Sequence, residues 1–166
     1  MPDGYHFLWS GPLSQWHPSA IKLWGDDFGT AEQAMMIGKA RLFEDNDTAR
    51  QILAAEEPDK QKALGRRVRN FNEGTWDAHK VDIVTEVNMA KYDQNKGLRR
   101  KLFQTGTAQL VEASPLDTIW GIGLDATNAA ATPPDEWPGQ NLLGKILTEV
   151  RETLRTRYPE ETVACS

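Results

Sequence analysis

The stretch Asn-Leu-Leu-Gly-Lys-Ile-Leu-Thr-Glu-Val-Arg-Glu-Thr-Leu, residues 141–154, gives the clearest structural signal in the chain. Its apolar residues recur at intervals of three and four, the spacing that lines one face of an α-helix. The stretch therefore predicts an amphipathic helix that packs one apolar stripe against the rest of the protein. That stripe consists of Leu143, Ile146, Leu147, Val150 and Leu154.

Helical patterns also dominate the chain upstream. Thr30 followed three residues later by Gln33 is a capping-box pattern, which predicts that a helix begins there and runs over 31–43. Apolar spacing and helix-start residues predict further helices around 49–53 and over 58–66, 76–95 and 98–104.

Short extended segments complete the pattern. Residues 6–9 and 109–112 have the composition of strands, and residues 21–28 are typical of a hairpin with Gly25 in its turn. We expect the strands of the first thirty residues to form a small sheet. Three prolines predict a loop over 132–138. The predicted fold class is α+β: mostly helical, with a small antiparallel sheet.

Composition limits the classes of protein to which the chain can belong. Its 166 residues and 39% hydrophobic content suit one domain, residues 1–166, with a core of its own. We find no apolar run of about 18 residues and no basic-then-apolar leader pattern. We therefore expect a cytoplasmic protein that does not contact membranes.

The chemistry-bearing residue types argue against a metal centre. The single cysteine, Cys165, makes a disulfide framework or a catalytic thiol improbable, and the three histidines lack zinc-site spacing. We predict neither a metal nor a cofactor. A net charge of −5 disfavours extensive contact with nucleic-acid phosphates, although binding one nucleotide needs no large basic surface.

An irregular segment, residues 110–124, combines a carboxylate, a tryptophan and two glycines. Asp117 and Trp120 lie three residues apart, so a turn can present both side chains to one ligand. Gly121 and Gly123 allow close backbone approach or a positive φ. An aromatic face beside an acid suits a nucleobase or a sugar that develops positive charge. The alternative is a structural loop in which Trp120 fills the core and Asp117 caps a turn.

Four separated motifs resemble the YbiA-like family, also called NADAR, and occur in that family's order. They read Thr-Ala-Glu-Gln-Ala-Met-Met-Ile-Gly-Lys-Ala (30–40), Leu-Gly-Arg-Arg-Val-Arg-Asn-Phe (64–71), Glu-Ala-Ser-Pro-Leu-Asp-Thr-Ile-Trp-Gly-Ile-Gly (112–123) and Asn-Leu-Leu-Gly-Lys-Ile-Leu-Thr-Glu-Val-Arg (141–151). The resemblance extends over about residues 7–154 and implies a single YbiA-like domain.

The resemblance also implies an activity. Family members are N-glycosidases that cleave a ribosyl C–N bond, either in phosphoribosylamino-pyrimidine intermediates of riboflavin biosynthesis or in ADP-ribose attached to guanine. The expected partner is thus a small ribosyl or ADP-ribosyl substrate, or ADP-ribosylated nucleic acid. A module that binds NAD or ADP-ribose without turnover is the alternative outside the enzyme class.

Cleaving such a bond builds positive charge on the anomeric carbon, so carboxylates are the expected catalytic groups. Glu32 and Asp117 are the candidates. From its position in the first turn of a predicted helix, Glu32 can equally serve helix-terminus electrostatics. The resemblance implies that Glu32, in the family's Ser/Thr-x-Glu motif, and Asp117 are needed for activity.

Trp76 and Lys80 lie four residues apart, so on a helix they share a face. A tryptophan can stack on a base and a lysine can bind phosphate, but core packing and a solvated charge explain them equally. The resemblance implies that Trp76 and Trp120 are catalytic pocket residues, with Lys80 as a weaker substrate-binding candidate.

Other residues of the matching motifs are substrate-binding candidates with structural alternatives. Lys39 and Arg151 can bind phosphate or pair with surface acids. Asn141 can cap the last helix while free backbone N–H groups bind an anion, and Gly144 can simply allow close helix packing. The predicted substrate-binding set is Lys39, Lys80, Gly121, Gly123, Asn141, Gly144 and Arg151. We expect one cleft to collect Glu32, Trp76, Asp117, Trp120 and Asn141.

Overall fold

The computed structural model describes residues 4–164, with side chains described as far as residue 162. Cys165 lies outside the described residues. The chain divides into two compact units. The central unit is Gln15–Asn95, and the terminal unit consists of the described residues of 1–14 and 96–166. The expectation of one domain over residues 1–166 stays a prediction.

The elements confirm a mostly helical α+β protein with a small antiparallel strand pair. In chain order they are β1 (Tyr5–Leu8), β2 (Ile21–Leu23), β3 (Asp26–Phe28), α1 (Ala31–Leu42), α2 (Asn46–Ala54), α3 (Pro58–Gly65), α4 (Glu73–Gln94), α5 (Lys96–Phe103), β4 (Gln109–Glu112), α6 (Ala126–Ala130), α7 (Leu142–Arg157) and α8 (Pro159–Ala164).

In the central unit, α1 is the element on which the others pack. It contacts α2, α3, α4 and β3. Its small residues let those elements approach closely, and a Cβ on Gly38 would lie only 2.9 Å from the Ile83 side chain. The β2–β3 hairpin is antiparallel, as predicted. Its turn residues are Trp24 and Gly25, both with positive φ, which matches the tight turns that hairpins favour.

In the terminal unit, β1 pairs with β4 in parallel, Tyr5 opposite Gln109, and α7 packs on β4. The expectation that the early strands form one sheet is therefore wrong. The β2–β3 hairpin closes locally through its two-residue turn, whereas a parallel partner for β1 requires a long connection. Residues 9–108, which contain the whole central unit, provide that connection.

Smaller differences lie at helix starts and in loops. Helix α4 begins at Glu73, three residues before the predicted start, because the Asn72 side chain accepts a hydrogen bond from the Thr75 N–H at 2.9 Å. Helices α6 and α8 were not predicted. The predicted loop over 132–138 contains one 3₁₀ turn, Pro134–Glu136, which begins with a proline as helical turns tolerate.

None of the helices in the described part of the chain is long and apolar enough to cross a membrane. Within residues 4–164, His, Cys, Asp and Glu side chains do not gather in groups of three that could hold a metal ion.

Candidate active site

The loop between β4 and α6 places the Asp117 carboxylate against its own backbone. Oδ1 of Asp117 accepts hydrogen bonds from the N–H groups of Ile119 and Trp120, both at 2.9 Å. The turn-capping alternative is therefore present in the structure. It accounts for one carboxylate oxygen, and it fixes the backbone of Trp120 relative to Asp117.

Gly121 and Gly123 are required by the packing of this loop. A Cβ on buried Gly121 would lie 2.9 Å from the Glu112 carbonyl oxygen and from the Ser114 side chain. Gly123 has a φ of +76°, where a side chain is strained. Both glycines thus have a structural role, and contact with a substrate stays a prediction.

Asn141 does not cap α7, so that expectation is wrong. Its backbone is left-handed, with a φ of 55°, and its side chain makes no capping hydrogen bond to the helix. The amide instead bridges to β4: Oδ1 accepts from the Glu112 N–H at 2.9 Å and Nδ2 donates to the Leu110 carbonyl at 3.0 Å. The Asn141 side chain thus bonds to the backbone of β4 in the way that the backbone of a neighbouring strand would.

The free N–H groups expected at the start of α7 are also already bonded. The backbone N–H groups of residues 140–143 donate to the carbonyl oxygens of Thr118, Gly121, Ile119 and Trp120, at 2.8–3.2 Å. These donors therefore hold the Asp117 loop onto the helix. Binding of an anion there loses the support that the sequence interpretation gave it.

Gly144 is explained by close packing, the alternative considered for it. A Cβ at this position would lie 2.2 Å from the Leu110 carbonyl oxygen and 2.3 Å from Oδ1 of Asn141. Helix α7 can thus lie against β4 only with a glycine at this point.

Arg151 is buried rather than open to a phosphate, with 1% of its surface exposed. Nη1 donates to the Thr105 hydroxyl at 2.9 Å and to the Ala108 carbonyl at 2.8 Å. Nε lies 3.5 Å from a carboxylate oxygen of Glu152, which matches the acid-pairing alternative. Burial lowers the pKa of the guanidinium below its ordinary value. Arg151 therefore stabilises the turn before β4.

In the central unit, Glu32 lies in the first turn of α1, where the helix dipole favours a negative charge. The Thr30 hydroxyl caps this helix by accepting from the Gln33 N–H at 3.0 Å, as predicted. The Glu32 N–H donates to the Gln15 carbonyl at 3.0 Å. The residue is partly exposed.

Lys39 brings a cation and two aromatic rings together in the same unit. Its Nζ donates to the Gly65 carbonyl at 3.1 Å and lies 4.8 Å from the centre of the Phe71 ring and 5.9 Å from that of Trp76. Burial lowers the pKa of Lys39, and the Glu32 carboxylate opposes that shift. Glu32, Lys39, Phe71 and Trp76 form what we call the α1 cluster.

Phe71 is the member of the α1 cluster that the sequence interpretation missed. It closes the 64–71 motif and is 46% exposed, which is unusual for a phenylalanine. Its place at the end of a matched motif was the available signal.

Lys80 is not a solvated charge. Only 9% of the residue is exposed, and Nζ donates to an Asp77 carboxylate oxygen at 2.8 Å. Trp76, one turn earlier on α4, packs against the core of the central unit and lies near Lys39. The core-packing alternative for Trp76 is thus correct, and it is compatible with a place at the site.

Lys91 is a second buried lysine, which the sequence interpretation did not single out. It is fully buried, and burial lowers its pKa to about 8. Its spacing of seven from Val84 and four from Val87, both buried, was a signal that this lysine faces inward.

Each unit thus brings part of the predicted site together. The terminal unit holds Asp117, Trp120 and Asn141 around one loop, and the central unit holds Glu32 and Trp76 in the α1 cluster. Convergence of all five residues on one cleft stays a prediction.

Comparison with known proteins adds an independent line of evidence. The sequence model of the NADAR domain matches residues 7–155. The chain is 51% identical over 145 residues to the N-glycosidase R617 of Acanthamoeba polyphaga mimivirus, covering 84% of this chain and 85% of that protein. It is 28% identical over 162 residues to the riboflavin biosynthesis protein VVA0006 of Vibrio vulnificus (strain YJ016), covering 98% of this chain and 39% of that protein.

A solved structure matches as well. The NMR structure of the E. coli protein YbiA superposes with a TM-score of 0.78 at 27% identity, covering 96% of this chain and 90% of that one. The residues matched by the domain model include every predicted site residue, from Glu32 to Arg151. The resemblance drawn from the four motifs is confirmed, and the chain belongs to the NADAR family.

Proposed function

We propose that the protein is an N-glycosidase, a hydrolase that cleaves a ribosyl C–N bond in phosphoribosylamino-pyrimidine intermediates of riboflavin biosynthesis. In this proposal it works in the cytoplasm without metal or cofactor. The observation that carries the proposal is the α1 cluster, where Lys39 interacts electrostatically with the Glu32 carboxylate and its Nζ lies 5.9 Å from the centre of the Trp76 ring. A relative named as an N-glycosidase and another named for riboflavin biosynthesis support it.

The chemistry needs a negative charge where the sugar becomes positive. As the C–N bond breaks, its electron pair leaves with the nitrogen and the anomeric carbon becomes cationic. A water molecule then adds to that carbon, and the proton it releases balances the charge gained by the departing amine. A carboxylate can stabilise that cation or accept the proton of water, and Glu32 and Asp117 are the candidates, one in each unit.

Binding groups complete the proposed site. The ring of Trp76 stacks on the pyrimidine, and Phe71 extends the aromatic surface beside Lys39. Trp120, in the terminal unit, stays a candidate for the same stacking role. Lys39 binds the phosphate of the substrate, since its Nζ places a cation 4.8 Å from the centre of the Phe71 ring and 5.9 Å from that of Trp76. Gly121, Gly123 and Asn141, also predicted as substrate contacts, support the loop that carries Asp117 and Trp120.

Removal of ADP-ribose from guanine in nucleic acid is the second candidate, because it breaks the same type of bond. The net charge of −5 argues against a grip on long duplexes, although a flipped or terminal nucleotide needs only a local pocket. A module that only binds NAD or ADP-ribose is disfavoured, since a carboxylate beside an anionic ligand weakens binding.

The test is a substrate panel. The purified protein and its Glu32→Gln variant are incubated separately with a phosphoribosylamino-pyrimidine, NAD, ADP-ribose and an oligonucleotide carrying ADP-ribosyl-guanine, and release of the base or amine is followed by chromatography. We expect turnover of the first compound by the unmodified protein alone. Turnover of the oligonucleotide only would favour the second candidate, and binding without turnover of any compound would contradict an enzyme.

A further inference from the structure

Two amide side chains in the central unit form a reciprocal pair. Nε2 of Gln15 donates to Oδ1 of Asn88 at 2.7 Å, and Nδ2 of Asn88 donates back to Oε1 of Gln15 at 3.1 Å. Asn88 is fully buried on α4, and its Nδ2 also donates to the Val84 carbonyl at 2.8 Å. The buried amide is therefore fixed to its own helix, and it fixes the side chain of Gln15.

The backbone of Gln15 in turn contacts the residue that we place at the reacting sugar. Its carbonyl accepts a hydrogen bond from the Glu32 N–H at 3.0 Å. Glu32 is the second residue of α1, and the first N–H groups of a helix have no partner within the helix. Gln15, seventeen positions earlier in the chain, supplies that partner, so the bond between its side chain and Asn88 on α4 also restrains the start of α1.

We propose that Gln15 and Asn88 are positioning residues that hold Glu32 in place for catalysis. The proposal rests on the proposed function, in which Glu32 acts at the anomeric carbon. A charge that stabilises a short-lived cation must be held within about 0.5 Å of its working position. Thr30 restrains α1 through Gln33, and the Gln15–Asn88 pair restrains it through Glu32 itself.

The test uses Gln15→Met, which keeps the length of a partly exposed side chain and removes both amide hydrogen bonds. We expect kcat on the phosphoribosylamino-pyrimidine to fall ~10–100-fold, since small misplacements of catalytic groups have effects of that order. KM and the melting temperature should change little. Amide hydrogen exchange followed by NMR should show faster exchange of the Glu32 N–H.

Gln94→Met is the matched control. Gln94 is also a glutamine whose amide makes two bonds between α4 and another segment, to the Lys22 N–H at 2.7 Å and the Lys22 carbonyl at 2.8 Å. Both of these bonds are to the backbone of Lys22 in β2, and neither involves the start of α1. We expect its kcat and its Glu32 exchange rate to match those of the unmodified protein.

The double variant Glu32→Gln with Gln15→Met separates positioning from any independent effect. If Gln15 acts through Glu32, its substitution should not further lower the residual turnover of Glu32→Gln. If Gln15→Met lowered turnover by the same factor in the double variant as in the otherwise unmodified protein, the proposal would be overturned. An unchanged exchange rate of the Glu32 N–H in Gln15→Met would also overturn it. Full turnover in Gln15→Met beside an inactive Glu32→Gln would overturn positioning alone. Full turnover in Glu32→Gln would overturn the proposed role of Glu32 and the positioning proposal with it.

Discussion

At Asp117, the structural role seen in the loop is compatible with the predicted catalytic role. Its Oδ1 accepts two backbone hydrogen bonds within the loop, and Oδ2 takes no part in them. A carboxylate anchored through one oxygen has a fixed orientation for the other. The turn cap, which the structure shows, and the ligand group, which stays a prediction, therefore do not exclude each other at this residue.

We predict that Glu32→Gln abolishes most turnover and leaves folding nearly intact. Gln keeps the size of the side chain and removes the charge that interacts with the cationic transition state. Loss of such a group typically lowers kcat by ~10²–10⁴. Steady-state kinetics, ligand titration and melting temperature should be measured on the same protein.

Asp59→Asn is the control for this prediction, because Asp59 is an exposed acid in the first turn of α3. Its loss should lower the free energy of unfolding by about 0.3–1 kcal/mol and leave kcat unchanged. If Glu32→Gln behaved in the same way, Glu32 would be a helix-terminus residue and nothing more.

The lowered pKa of buried Lys91 predicts that the stability of the protein depends on pH. Its pKa is about 8 in the folded protein against an ordinary 10.5, so between these values the unfolded chain binds more protons. Stability relative to a Lys91→Met variant should therefore rise with pH, by roughly 3 kcal/mol from below pH 8 to above pH 10.5. Urea unfolding of both proteins at pH 7 and at pH 10.5 measures this difference. A constant difference would mean that buried Lys91 keeps its proton.

At the scale of elements, replacing two helical glycines with alanine should change the free energy of unfolding in opposite directions. Gly144→Ala inserts a Cβ 2.2 Å from the Leu110 carbonyl oxygen and pushes α7 away from β4, which should lower the free energy of unfolding by at least ~1–3 kcal/mol. Gly97→Ala in α5 meets open space and should raise it by about 0.4–1 kcal/mol. Chemical denaturation distinguishes them; similar values would contradict the close packing of α7.

Elements with a strong local signal were predictable. The α7 stripe, the Thr30 cap and the 21–28 hairpin depend on residues close in sequence, and the structure has all three. The parallel pairing of β1 with β4 was not predictable, because nothing near either strand specifies its distant partner.

The same distinction applies to the candidate site. The motifs pointed to Glu32, Lys39 and Trp76, which the structure groups in the α1 cluster. The role expected of Asn141 as a cap was wrong because its side chain bonds to β4 instead, and a sequence pattern reveals neither those bonds nor the left-handed φ of this residue. Burial of Arg151 was missed for a related reason, since its partners lie in a distant turn.

At the scale of the molecule, the division into units predicts that a Gln15–Asn95 fragment folds by itself. Its core is formed by α1 with α2, α3 and α4, all of which lie in the fragment. We expect helical circular dichroism and a cooperative thermal transition. Ile37→Ala, which removes a fully buried side chain, should destabilise the fragment by ~2–5 kcal/mol. A fragment without a cooperative transition would show that the unit depends on the rest of the chain.

The parallel pairing of β1 with β4 also fixes an order of events on the ribosome. Tyr5–Leu8 leaves the ribosome before the central unit, and its partner Gln109–Glu112 emerges only after that whole unit. At 5–20 residues per second, the first strand waits roughly 5–20 s for its partner. During that interval the hairpin and helices α1–α4 can assemble, while a short strand with exposed Tyr5 and His6 stays unpaired. The ribosome must therefore complete the central unit before β1 can pair with β4.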